Sequence, residues 1–269
     1  MNAVLKLIMF TLIGFAIVRG LYLNIASNLT FNAPWTVGEW LINYAGGFVR
    51  RGAPGELIYR ISVPSGISPW CLAVVMSFIC WGGLAILLTK FCSSRFRLAF
   101  IFSPFVLLAP LMGEYLVRKD CLNLFILCAS LLISSRRSMG KASFVLRVLA
   151  VNILGVLASL SHETYLFYFL PSHLVVMYGS AGADGILASR LFKKIPQLLL
   201  LFCPVVVTTL FCVYHHGSPA VSHEIYQSWL NLSTMFPSSY PIHAQGAIDA
   251  IGWTTSQGLI IQISRFFIN

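Results

Sequence analysis

Apolar runs approaching or reaching about 20 residues, the length a helix needs to cross a bilayer, recur along this chain with short polar breaks between them. Seven stand out, at 3–23, 69–89, 98–116, 120–135, 143–161, 163–179 and 196–214. Helices satisfy every backbone group internally, which lipid requires. The pattern therefore predicts an all-α fold, a polytopic transmembrane helix bundle of about seven or eight spans, as a single membrane domain over 1–269. The fourth and sixth runs are short, which predicts tilt, local thinning or incomplete crossing. An eighth run begins near Leu259 and stops at Asn269, too soon to cross. On this pattern the chain reads as truncated at its C-terminus or completed by a partner subunit. Two long polar-rich outer loops break the rhythm. One, 24–68, follows the first span and is predicted to carry short amphipathic helices; the other is 215–257.

Composition sharpens the class. Hydrophobic residues make up 58% of the chain and charged residues 10%, against about 25% charged in soluble domains. The net charge of +10 raises the question of a nucleic-acid partner, but the basic residues are spread between apolar runs and form no stripe. No nucleic acid is expected. With the N-terminus in the cytoplasm, Lys90, Arg95 and Arg97 fall in one inner loop, Arg136, Arg137 and Lys141 in the next, and Arg190, Lys193 and Lys194 in the third. Counting Lys6 and Arg147, eleven of the eighteen basic residues lie inside, as the positive-inside bias requires. The seven cysteines lie in or beside apolar runs without CxxC spacing, so they read as small helix residues and not as a zinc site.

The acidic residues segregate the other way. Glu39, Glu56, Glu114, Asp120, Glu163, Glu224 and Asp249 map to the outer side, and only Asp184 lies inside. Acids set topology weakly, so their gathering points to chemistry on the outer face. Three constellations carry it. The first runs from Gly38-Glu39-Trp40 through Asn43-Tyr44 and Gly46-Gly47-Phe48-Val49-Arg50-Arg51-Gly52 to Glu56. Adjacent arginines bind phosphate through paired N–H groups, and glycines let backbone approach a ligand closely. The plain alternative is an interfacial helix whose arginines meet lipid headgroups. The second, Gly113-Glu114-Tyr115-Leu116-Val117-Arg118-Lys119-Asp120, packs four ionisable groups at a membrane boundary, where they are expensive unless paired or useful. The third, Ser161-His162-Glu163-Thr164-Tyr165, sets a histidine beside a carboxylate, a pairing suited to proton transfer. The segment 215–257 adds His215, His216, His223, Trp229, Asp249 and Trp253, as a lid or acceptor-binding surface.

In this arrangement the chain resembles the C-type integral membrane glycosyltransferases, in which a first span leads to a long outer loop bearing an acid, here Glu39, and a short outer link after the third span bears further acids, here Glu114 and Asp120. The stretch from Glu39 to Gly52 also looks like segments of bacterial envelope-polysaccharide membrane proteins, and O-antigen polymerases share the use of outer-face arginines. The resemblance covers roughly residues 1–180 and departs in having glutamate for the commoner aspartate and no DxD pair.

It implies glycosyl transfer or polymerisation from a polyprenyl-(pyro)phosphate-linked sugar donor at the non-cytoplasmic face, in a bacterial inner membrane. The expected catalytic groups are Glu39, His162 and Glu163. Arg50, Arg51, Arg118 and Lys119 are expected to hold donor phosphate. Trp40, Asn43, Tyr44, Glu56, Glu114 and Asp120 are expected to bind or orient substrate. A divalent cation, Mg or Mn, is a candidate cofactor, with Glu39, Glu114 and Asp120 as candidate ligands. The expected partners are membrane lipid, the lipid-linked saccharide and a further subunit. The competing readings are a transporter or flippase for lipid-linked saccharides and a non-catalytic membrane subunit.

Overall fold

The computed structural model describes residues 11, 14–15, 18–23, 34–91, 116–135, 141–178, 196, 199, 202–233, 246–253 and 257. Expectations for Glu114, for the run at 98–116 beyond its last residue and for the end of the chain fall outside them. Among the described residues all regular structure is helical. The helices are α1 (Pro34–Trp40), α2 (Ala53–Ser65), α3 (Pro69–Phe91), α4 (Asp120–Ser135), α5 (Lys141–Ser161), α6 (Tyr165–Tyr178), α7 (Cys203–Tyr214), α8 (Pro219–Ser233) and α9 (Ala247–Ala250).

Proline sets several of the starts. Pro54 and Pro204 occupy the first turns of α2 and α7, where a missing N–H costs nothing because that donor has no intrahelical partner. Gly66 closes α2 in the left-handed conformation, φ 68°, and returns its N–H to the Ser62 carbonyl. After α5 the chain reverses within three residues, held by the His162 N–H on the Ala158 carbonyl (2.8 Å) and the Tyr165 N–H on the His162 carbonyl (3.0 Å).

Helices α3, α4, α5 and α7 pack in succession, with α6 against α4 and α5. Two of them, over Pro69–Leu88 and Ala142–Ser161, are long and apolar enough to cross a membrane; α4, α6 and α7 are apolar but shorter. Only 33% and 28% of the two long windows is buried, whereas the core helix of a soluble domain hides most of its apolar surface. Ile79, Ile86, Leu146, Ile153, Phe167 and Val175 stand exposed.

The shortness of α4 has a visible cause. The turn 116–119 that precedes it does not reach the start of α3 but docks on its middle. The Ser77 hydroxyl donates to the Val117 carbonyl (3.3 Å) and the Trp81 indole N–H to the Leu116 carbonyl (2.7 Å). At about 1.5 Å of rise per residue, these contacts lie about 12 and 18 Å along α3 from Pro69. Helices α1 and α2 pack beside α3, α9 closes against α1, and α8 packs on α9. The expected short helices of the first outer segment thus exist, and they are packed against the bundle: Val37, Trp40, Leu41, Ile42 and Ile58 are core residues.

This packing depends on one backbone approach. A Cβ on Gly55 would sit 2.0 Å from the Ile42 carbonyl oxygen and 2.8 Å from that of Trp40, atoms that cannot swing aside. Gly55→Ala should therefore destabilise the protein by about 1–3 kcal/mol, visible as a lowered melting temperature in detergent. Gly82→Ala, whose Cβ meets nothing within 4 Å inside α3, should not lower the melting temperature and should raise it slightly.

Candidate functional site

Four separate segments meet at the recessed turn: the end of α1 with 50–51, the turn into α4, the α5–α6 corner, and the end of α7. Three of them are pinned through backbone carbonyls, and the α5–α6 corner joins through the Glu163 ion pairs. The Trp40 indole N–H donates to the Val117 carbonyl, the Trp229 indole to the Leu41 carbonyl (2.7 Å), and the Arg50 N–H to the His215 carbonyl (2.9 Å). Glu39, Arg50, Arg51, Arg118, Lys119, Asp120, His162 and Glu163 thereby share one polar cluster.

Its hub is Glu163. Arg51 grips the carboxylate with both arms of its fork, Nε to Oε2 at 2.9 Å and Nη2 to Oε1 at 2.7 Å, and Arg50 adds Nη1 to Oε1 at 3.1 Å. Successive side chains of an extended strand point to opposite faces, so two adjacent arginines do not ordinarily share one carboxylate. Arg51 solves this by adopting φ 67°; it is the sole non-glycine with positive φ among the described residues. Such a conformation costs on the order of 1–3 kcal/mol and persists where the surroundings enforce it. Burial alone would raise the Glu163 carboxyl, but the guanidinium groups overrule it and hold it at about 2. His162, buried and beside Arg51, is pushed down to about 4, and its Nδ1 lies 2.8 Å from the Thr164 hydroxyl. At neutral pH it is an uncharged imidazole.

Glu39 lies on the other side. Its carboxylate is almost fully buried, Oε1 stands 4.0 Å from Arg118 Nη2, and Oε2 has no hydrogen-bond partner. Burial raises its carboxyl above the ordinary value, against the pull of Lys119 and Arg118. Asp120 is half-exposed and pairs with Arg118 at 3.0 Å.

Several expected ligand contacts turn out to be scaffold. Lys119 is fully buried and its ammonium donates to the carbonyls of Glu39 (2.9 Å) and Arg51 (3.0 Å); it is a structural cation, not a phosphate ligand, and burial lowers it to about 7. Trp40 is wholly enclosed, with its indole spent on Val117, so it offers no face to a sugar. Asn43 is buried and donates to the Ser228 hydroxyl (2.9 Å). Tyr44 stacks on Phe48, and Glu56 accepts from Arg60 (2.7 Å) and the Tyr44 N–H (3.2 Å), away from the cluster. Trp229 and Ser228, which hold the first outer segment in place, carry no sequence signal that links them to it across almost 190 positions.

Glu163 is fully engaged and Glu39 is buried. The part-exposed groups are the three guanidiniums of Arg50, Arg51 and Arg118 against the single carboxylate of Asp120, so the accessible face of the cluster suits an anion. It does not suit a divalent cation: Glu39 and Asp120 both face the Arg118 guanidinium, with Lys119 close to Glu39. No group of three metal-ligating side chains forms among the described residues. No family model, curated protein or solved structure matches the chain.

The titration shifts fix a pH dependence. A folded His162 near 4 binds fewer protons than an unfolded one at 6.5, and a folded Glu163 near 2 fewer than an unfolded one at 4.5. Both contributions are present at neutral pH and lost on acidification. The melting temperature should fall in two stages, between pH 6.5 and 4 and between 4.5 and 2. His162→Gln should flatten the upper stage and keep the lower.

Proposed function

We propose that the chain is a polytopic membrane protein of seven or eight spans that transfers or polymerises sugar from a polyprenyl-(pyro)phosphate donor at the non-cytoplasmic face. One observation carries the reading. A buried carboxyl with an unpartnered oxygen stands beside part-exposed arginines, in a cluster recessed roughly halfway along an apolar helix. Charges at that depth in a bilayer are expensive and mark function. A lipid-linked phosphate arrives at this depth from the side, because its hydrocarbon stays in the membrane.

In this mechanism Arg118, with Arg50 and Arg51, binds the donor phosphate and stabilises the charge that builds on it as the glycosidic bond breaks. Glu39 takes the proton from the acceptor hydroxyl. Its raised carboxyl makes it a stronger base in the ionised state, closer to the optimum for transfer near neutral pH. Lys119 and Glu163 are positioning residues: the first fixes the backbone at Glu39 and Arg51, and the second sets the arginine forks. No step is assigned to a metal ion.

The recessed position also suits a flippase for lipid-linked saccharides, and the two readings separate on turnover. Elsewhere in the helices, His173 bonds to the Phe169 carbonyl (2.8 Å) and Asn152 to the Val148 carbonyl (2.9 Å).

Glu39→Gln should reduce sugar transfer in isolated membranes by about 10²–10⁴-fold without lowering the melting temperature. Lost transport with transfer intact would select the flippase reading, and full activity in both assays would refute both. Single-cysteine labelling should place Asp120 and Lys141 on opposite sides of the membrane; labelling from the same side would overturn the topology.

A further inference from the structure

A concavity outside the charged cluster lies beside the helix pair α8 and α9, and α9 packs on α1. It has a volume of about 340 Å³ and opens between α8 and the α9 turn, within the range of about 300–1,000 Å³ typical of small-molecule sites. Ser222, His223, Tyr226, Asp249, Trp253 and Gln257 line it.

The lining chemistry separates it from the Glu39 cluster. The described lining residues include no lysine or arginine, so they offer an anion no fixed positive charge. Two aromatic rings stand with a carboxylate, an imidazole, an amide and the Ser222 hydroxyl, which gives its hydrogen to the Ile248 carbonyl (2.8 Å) and keeps an oxygen to accept with. That mixture matches a neutral saccharide, which presents apolar C–H faces to aromatic rings and hydroxyls to paired acceptors and donors. The carboxylate is aimed: the Trp253 indole N–H donates to Asp249 Oδ2 at 3.2 Å, holding it beside the ring. The floor is backbone, since a Cβ on Gly252 would come within 3.0 Å of Pro219 Cα.

The pocket is tied to the helix that carries Glu39. Trp253 packs on Trp35 of α1, ring centroids 6.0 Å apart, and a Cβ on Gly38 would lie 3.5 Å from the Ala247 nitrogen of α9. Glu39 is the next residue, about 100° further round the helix, and faces Arg118. The two sites therefore share one short helix.

We infer that this pocket binds a neutral saccharide segment of the acceptor, which then runs over α1 to present its hydroxyl to Glu39. The inference rests on the transfer reading for its purpose, but binding is measurable without turnover.

The test uses the purified full chain in nanodiscs, titrated with an array of neutral tri- and tetrasaccharides, with choline and inositol hexaphosphate as cationic and anionic probes. Tryptophan fluorescence reports binding. At least one neutral oligosaccharide should bind saturably, about tenfold more weakly in Trp253→Ala and in Asp249→Asn, at unchanged melting temperature. Glu39→Gln should leave that affinity intact even where transfer is lost. Should Glu39→Gln prove silent in transfer while saccharide binding persists, the catalytic reading falls and the pocket stands. Binding of choline in preference to every saccharide, affinity insensitive to both pocket variants, or no saturable saccharide binding would each overturn the assignment.

Discussion

A single buried lysine holds the charged cluster of this protein together. Lys119 is sealed from solvent and gives hydrogen bonds to the main-chain oxygens of Glu39 and Arg51. Burying a lone cation costs several kcal/mol unless it is paired and bonded. Here the compensation comes from carbonyls on two sides of a loop and from nearby carboxylates. The turn into α4, the end of α1 and the double arginine must therefore be assembled together or not at all. The left-handed backbone at Arg51 is one result, because the carbonyl that Lys119 holds belongs to that residue.

From this tether the electrostatics divide. On one side Glu163 absorbs both arginine forks and becomes a fixed anion. On the other Glu39 keeps one oxygen without a partner and a raised carboxyl. Two glutamates within one cluster thus shift in opposite directions because their surroundings differ: paired forks against burial. The contrast is the usual way in which a site separates a positioning carboxylate from one able to exchange a proton.

The helical class was legible in the apolar runs, and the gathering of acids and arginines was legible in their bias toward one set of loops. Glu39, Arg50, Arg118, Asp120, His162 and Glu163 do lie together. What the pattern did not reveal is depth. Nothing in Leu116-Val117 announces that their carbonyls dock on Ser77 and Trp81 in the middle of α3. Because that docking is made by backbone groups, it leaves no trace in hydropathy. The same blindness promoted Lys119, Trp40 and Asn43 to ligand contacts. A polar or aromatic residue in an outer segment reads as available, and only packing shows that its functional atom is already committed. The pocket beside α8 was half-visible, in His223, Asp249 and Trp253, while Tyr226 and Gln257 blend into helical and polar surroundings.

Three tryptophans, Trp40, Trp81 and Trp229, each spend their indole N–H on a carbonyl in a chain reversal. Phenylalanine would fill much of the same volume and strand a buried acceptor. The protein's freedom to vary is consequently uneven. The greasy outer stripes of α3 and α5 accept any aliphatic exchange that keeps them apolar. Those three indoles act as rivets, and drift at any one would have to be matched by rebuilding the loop it fastens.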